Sequence, residues 1–164
     1  MKVITTPRLD LVLLDSRALA RVVLNAPLDL GFDADGLFDG AHDVVVLRLA
    51  QGVDQPSAEP WLLRAIVLRD ERRAVGFINF HAPPDERGLV EIGYEVRERD
   101  RRRGYAREAV AGMLAWAKPR GARIVRACVR PDNLASRAML AGYVHVGEQL
   151  DEVDGLELIY EKPI

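Results

Sequence analysis

The sequence predicts one α+β domain spanning residues 1–164, with a central sheet of about six or seven strands flanked by helices. Three observations carry this. A chain of 164 residues suits one ordinary domain and buries about 70% of its unfolded surface, so a hydrophobic core forms without staples. From Trp61 onward, β-prone runs alternate with charged turns, as an antiparallel meander requires. After it, Ala106, Ala109, Val110, Met113, Leu114 and Ala117 recur at three- and four-residue spacing, which is one face of a helix. No internal repeat, low-complexity tract or linker divides the chain.

Taken in order, residues 9–14 (LDLVLL) follow Thr5-Thr6-Pro7 and form the opening strand. Asp15 and Ser16 offer an N-cap for a helix over 17–24, which Pro27 bounds. Residues 28–40, rich in Asp and Gly, read as a loop or a short helix. Residues 44–50 suit helix or strand, and 52–60, with two prolines, read as a loop. Strands follow at 61–68 and 74–80 across the turn 69–73, and a second turn at 82–88 leads into a strand at 89–96 (LVEIGYEV). A charged loop at 97–103 precedes the amphipathic helix, which Pro119 and Gly121 stop. A strand at 124–129, a short helix at 134–140 and a hairpin of 143–147 with 156–161 around a turn at 151–155 complete the chain.

Composition narrows function. With 49% hydrophobic and 29% charged residues, the chain is globular rather than disordered or fibrous. The 23 basic and 25 acidic side chains give a net charge of -2, which argues against a nucleic-acid partner held by bulk positive charge. A lone Cys128 excludes an internal disulfide, and His42, His81 and His145 lack the spacing of zinc ligands, so no metal is expected. No apolar run approaches the roughly 18 residues of a membrane span, and the N-terminus lacks a signal segment. A cytoplasmic protein with no membrane partner is expected.

One segment concentrates charge. Between Arg97 and Arg107 stand six arginines against Glu98 and Asp100. A strand leads in, Gly104 and Ala106 supply small residues, and a helix begins directly after. Such a helix N-terminus presents unpaired N–H groups and a positive dipole end, and glycine lets phosphate oxygens approach the main chain. Arginines add charge-assisted hydrogen bonds. The geometry suits a pyrophosphate, against the plainer reading of a solvated basic loop capping a helix. There is no G-x-G-x-x-G and no G-K-[ST].

Arg101-Arg-Arg-Gly104-Tyr-Ala106 fits the [R/Q]-x-x-G-x-[G/A] motif of the GNAT superfamily of N-acetyltransferases, and Val96 stands five residues before it. TPRLDLVLL, VEIGYEV and the run from Val129 through Asn133 to Ser136 resemble the ribosomal-protein N-terminal acetyltransferase branch. The resemblance is clearest over 75–143. It implies a mixed, mostly antiparallel sheet splayed at a cofactor cleft, with acetyl-CoA as cosubstrate. Main-chain groups at Tyr94 and Val96 would pair with the pantetheine arm. Backbone amides of Arg101, Arg102, Arg103, Gly104, Tyr105 and Ala106 would hold the pyrophosphate, and Asn133 with Ser136 would flank the arm. The Val96 N–H would meet the oxyanion.

Acetyl transfer needs a neutral amine, a stabilised oxyanion and a route for protons. Glu91 is the first candidate for the base, direct or through water. Glu95 is second, since strand alternation places Glu91, Gly93 and Glu95 on one side; the plainer reading of both is a solvent-facing carboxylate. Many relatives carry a tyrosine acid seven residues after the asparagine, where this chain has Leu140; Tyr143 or water would serve instead. The fourth helix reads about two residues short. Cys128 is expected as a buried small hydrophobe, Trp61 and Trp116 as packing residues, and His81 as an ordinary strand-end residue beside a turn, with contact to substrate the less favoured reading.

The sequence therefore points to an enzyme acetylating a primary amine on a small molecule, peptide or protein N-terminus by direct attack in a ternary complex. The alternative is a catalytically weak CoA-binding regulatory module. A weaker third reading has the arginine loop gripping an RNA or protein phosphate. The acidic run Asp29, Asp33, Asp35 and Asp39 would suit a cationic acceptor or simply face solvent. A homodimer is a reasonable prior for a small enzyme.

Overall fold

The structure, a computed structural model, describes residues 2–151 and 155–164. Glu152, Val153 and Asp154 of the expected final turn therefore lie outside the described residues. Among those described, the strands β1 (Val3–Thr5), β2 (Leu9–Leu13), β3 (Arg64–Leu68), β4 (Arg73–Phe80), β5 (Leu89–Val96), β6 (Ile124–Val129), β7 (Val144–Asp151) and β8 (Gly155–Pro163) form one sheet. Their order is β1-β2-β3-β4-β5-β6-β8-β7. Every pairing is antiparallel except β5 with β6. The sheet thus has eight strands rather than six or seven. The additional one, β1, is three residues long and folds back on β2 through a turn in which the Thr6 N–H bonds the Leu9 carbonyl at 2.9 Å. A period of two has no length in which to show itself there.

Among the described residues four α-helices flank the sheet: α1 (Ser16–Val23), α2 (His42–Asp54), α3 (Tyr105–Ala117) and α4 (Leu134–Arg137). The Asp15 side chain caps α1 by accepting from the Ala18 N–H at 3.0 Å, as its sequence foretells. The ambiguous 44–50 stretch is helical. The expected loop at 52–60 is corrected: α2 continues to Asp54, and a 3-10 helix occupies Pro56–Trp61. Gly52 survives in α2 because its bare Cα faces α1, where a Cβ would stand 2.6 Å from Ser16 Oγ. Pro56 sits in the first turn, where a missing N–H costs little. Trp61 ends that turn instead of opening β3, packing on Trp116 at 4.8 Å and Phe80 at 5.7 Å between ring centroids. Helix α4 is a single turn, shorter than the expected 134–140, capped by Asn133 Oδ1 accepting from the Ser136 N–H at 3.0 Å.

The core has two layers. Leu9, Leu11, Ile66, Ile78, Phe80, Val90 and Ile92 pack with Met113 and Trp116 of α3 on one face. Leu14, Leu19, Val45, Ala65, Val67, Ala74 and Phe77 fill the α1/α2 face. Strand β3 is buried on both faces, hence the uninterrupted apolar run that follows its first residue. That first residue, Arg64, is fully buried yet has no carboxylate partner among the described residues. Nη1 donates to the carbonyls of Lys2 at 3.1 Å and Leu11 at 3.4 Å, Nη2 to Pro60 at 2.8 Å, and the guanidinium lies over the Trp116 ring. Burial pushes its pKa down to about 10.

Candidate active site

The site begins where two strands part. The parallel pairing of β5 with β6 covers only Leu89–Glu91 against Ile124–Arg126. Beyond it β5 stays paired with β4 as far as Val96, and β6 with β8 as far as Val129, so the sheet opens between them. Ladder alternation identifies the groups facing the gap. The His81 N–H bonds the Glu91 carbonyl and the Arg97 N–H bonds the Val75 carbonyl, both at 2.9 Å, in an unbroken β4–β5 register. Residues 91, 93, 95 and 97 therefore exchange hydrogen bonds with β4, while Ile92, Tyr94 and Val96 turn theirs toward the gap. The Val96 carbonyl is taken by Arg101 Nε at 2.8 Å. Its N–H and both main-chain groups of Tyr94 offer an edge to which an extended chain can add.

At the end of β5 the arginine loop is tied down by Arg73 and Arg8. Asp100, buried in a short 3-10 turn (Glu98–Asp100), accepts two hydrogen bonds from Arg73, at 2.9 and 3.1 Å. Burial alone would raise this carboxyl, but the Arg73 bonds and charge outweigh it and hold it below its ordinary value. Arg8 donates to the Arg103 carbonyl at 3.0 Å, pairs with Glu108 at 2.7 Å and lies over the Tyr105 ring. Arg102 (φ 63°) and Gly104 (φ 79°) both turn left-handed, and the Arg102 conformation is uncommon for a residue with a side chain. Gly104 is the N-cap of α3. The N–H groups of Tyr105, Ala106 and Arg107 in the first turn have no intrahelical acceptor, and the dipole there favours an anion.

A cavity of about 1180 Å³ lies against this loop. Tyr94, Val96, Arg101, Arg102, Gly104, Tyr105, Ala106, Asn133 and Ser136 all line it; Arg103 does not. The Arg103 carbonyl is turned to Arg8 instead. A second cavity of about 270 Å³ shares Tyr94, Asn133, Ser136 and Met139 with the first, so the two adjoin. Its walls include Ile92, Val110 and Ala127 from the α3 face and Cys128 and Glu157 from the opposite face. The smaller cavity thus passes through the sheet at the splay, with Gly93 on its wall.

The far face carries a polar cluster that sequence reasoning did not assemble. His81 Nδ1 stands 3.0 Å from Glu91 Oε1. That hydrogen bond, opposed by burial and aided by the Cys128 thiol and Arg126, keeps the Glu91 carboxyl below its ordinary value. Burial, with the nearby carboxylates, pushes the Cys128 thiol up to about 12, so it stays protonated. Arg48 of α2, buried, donates to Gln51 Oε1 at 2.6 Å and weakly to the His81 carbonyl at 3.4 Å. Glu95 is exposed. The Tyr94 and Tyr143 phenols line the smaller cavity and are raised by burial, Tyr94 also bonding Ser136. Leu140 packs on the core beside them. His81 meets Glu91 through strand register, which the long turn at 82–88 hides from the sequence. Among the described residues no cluster of three or more His, Cys, Asp or Glu is placed to hold a metal, and no helix is long and apolar enough to cross a membrane.

Comparison with known proteins agrees with this arrangement. Residues 39–142 match the acetyltransferase (GNAT) domain family, and the chain belongs to it. This is a family of acyl-CoA-dependent N-acyltransferases. Over 77 residues the chain is 39% identical to the N-acetyltransferase YjdG of Bacillus subtilis (strain 168), an alignment covering 46% of this chain and 45% of that one. The match thus spans less than half of that relative. Two solved structures share the fold nearly end to end. One is the ribosomal-protein-S5-alanine acetyltransferase of Vibrio fischeri (TM-score 0.68, 15% identity, 98% of this chain and 96% of that one). The other is the ribosomal L7/L12 α-N-protein acetyltransferase RimL in complex with coenzyme A (TM-score 0.68, 16% identity, 99% and 98%).

Proposed function

We propose that this protein moves an acetyl group from acetyl-CoA to a primary amine on a small molecule, peptide or protein N-terminus, by direct attack in a ternary complex. One observation carries the reading: an anion cradle at the α3 N-terminus continues, along the unpaired edge of Tyr94 and Val96, into a cavity that pierces the sheet. An extended substrate with a diphosphate at one end and a thioester at the other fits that sequence of environments. The amides of Arg101, Arg102, Gly104, Tyr105 and Ala106 would receive the diphosphate. The Tyr94 and Val96 edge would pair with the amide-bearing arm, flanked by Asn133 and Ser136. The neutral amine then attacks the thioester carbon, the C–N bond forms, and the C–S pair leaves on sulfur. The Val96 N–H stands ready for the oxyanion. The protonated Tyr143 phenol takes the place of the acid that Leu140 lacks.

The second reading, a CoA-responsive module with little turnover, is favoured by Leu140, which brings no acidic group to the cavity, and by the shortened α4. Two measurements separate them. CoA and acetyl-CoA should raise the melting temperature, by about 2.7 kcal/mol of stabilisation at a hundredfold excess over Kd. Transfer should then appear, above thioester hydrolysis, in a panel of a polyamine, an aminoglycoside, an amino-acid amide and short peptides with free N-termini. No shift with either nucleotide refutes the shared cofactor site; a shift without transfer to any amine favours the module.

A further inference from the structure

We propose that His81, through Nε2, is the general base that takes the proton from the attacking amine, and that Glu91 is the residue that positions it. This rests on the acetyl-transfer reading and names its proton route. Glu91 itself is spoken for: one carboxylate oxygen accepts from His81 Nδ1 at 3.0 Å, and the Cys128 thiol hydrogen-bonds the same carboxylate. An ionised carboxylate so bonded is a weak base. Its bond to Nδ1 fixes the proton on that nitrogen and leaves the lone pair on Nε2.

The direction of that lone pair is set by Gly93. A Cβ on Gly93 would stand 3.0 Å from His81 Nε2, so the imidazole occupies the room a side chain would take. Gly93 lines the cavity through the sheet, and its neighbour Tyr94 presents main-chain groups to the cofactor side. Nε2 therefore lies against the Gly93 wall of that cavity, on the side from which an amine arriving over the α2 face would approach a thioester. A second observation points the same way. Asn79 is 3% exposed, its Nδ2 has no hydrogen-bond partner, and that atom would lie 3.7 Å from the same Cβ position. A buried donor left without a partner beside the imidazole suits an oxygen of the acceptor next to its amine.

The charged and titratable groups around the ring are Glu91 from β5, Arg48 from α2, and Cys128 and Arg126 from β6, with Glu157 of β8 beyond them. Histidine is the side chain that titrates nearest neutrality, where general-base catalysis is most effective. The step balances. The amine lone pair forms the C–N bond, the C–S pair leaves on sulfur, and the amine proton passes to Nε2. The imidazolium releases that proton to water, while the Tyr143 phenol protonates the thiolate and is itself reprotonated from water, so amine plus thioester become amide plus thiol.

The test uses the full chain, acetyl-CoA and whichever amine of the panel above is accepted. His81→Gln should lower kcat about 10²-fold or more, abolish the acid limb of the pH–rate profile and leave the CoA-induced melting shift unchanged. Glu91→Gln should lower kcat about tenfold at unchanged KM and leave an acid limb in the pH–rate profile, because the imidazole remains but is no longer held by a carboxylate. Nitrogen-15 NMR of the three ring systems, assigned with His81→Gln, should place the His81 proton on Nδ1 in the native chain. The proposal is overturned if His81→Gln keeps its rate within about twofold, if Glu91→Gln alone erases the acid limb, or if the native ring carries its proton on Nε2. Failure of the native chain to acetylate any amine while still binding CoA overturns the acetyl-transfer reading itself, and the base with it.

Discussion

Gly76 is the position where one added carbon should damage the site most from outside it. It stands opposite Val96 in the β4–β5 ladder, and a Cβ there would lie 2.0 Å from the Glu95 carbonyl oxygen and 2.9 Å from Val96 Cα. Both atoms are backbone, so no rotamer change relieves the contact. Restoring the 3.0 Å limit of real Cβ contacts requires the strands to part by about 1 Å at Glu95 and Val96. That parting moves the Val96 N–H, the edge proposed to meet the thioester arm. Gly76→Ala should cost about 1–3 kcal/mol from overpacking, lowering Tm by roughly 2–12 °C for a chain of this size. A 1 Å displacement of a positioning group should lower kcat about 10²-fold. Gly147→Ala on β7 is the control, since nothing lies within 4 Å of its Cβ position. Melting curves and acetyl-transfer rates of the two variants check this. A Gly76→Ala protein with native Tm and a rate within about twofold of native would show that the β4–β5 contact does not set the cleft.

Three further outcomes follow from other parts of the fold. Asp100, held below its ordinary value by Arg73, contributes stability that is complete above about pH 4 and is lost as pH falls through its lower native pKa. Asp100→Asn should therefore be less stable at neutral pH, and its urea midpoints should fall less steeply between pH 4 and 2.5; parallel acid limbs would remove the pair from the stability account. Arg64→Ala strands the carbonyls of Lys2, Leu11 and Pro60 and opens a cavity beneath Trp116, at a cost of about 3–5 kcal/mol, and a urea midpoint close to native would contradict that. Cys128, with its thiol pushed up to about 12, should resist iodoacetamide at pH 8 in the native chain and label promptly in urea; equal rates in the two states would mean the thiolate is available.

What the sequence determines by itself is local. The strand LVEIGYEV, the turn at Gly104 and the apolar face of α3 are spelled out within a dozen residues of one another. The turn into α3 was therefore legible together with most of the residues that line the cleft. The Asp15 cap and the break at Pro119 and Gly121 were legible for the same reason. Where local signals conflict, as at Gly52 and Pro56, packing on α1 and the core decided for helix against the expected loop. The splay itself was implied only by resemblance, because a parallel pairing that stops after Glu91 and Arg126 leaves no pattern in either strand. The His81–Glu91 pair, the bare window at Gly93 and the carbonyl ring around Arg64 belong wholly to the tertiary structure. Each depends on register between strands or on atoms tens of residues apart, and the sequence specifies such contacts only through the complete packed fold.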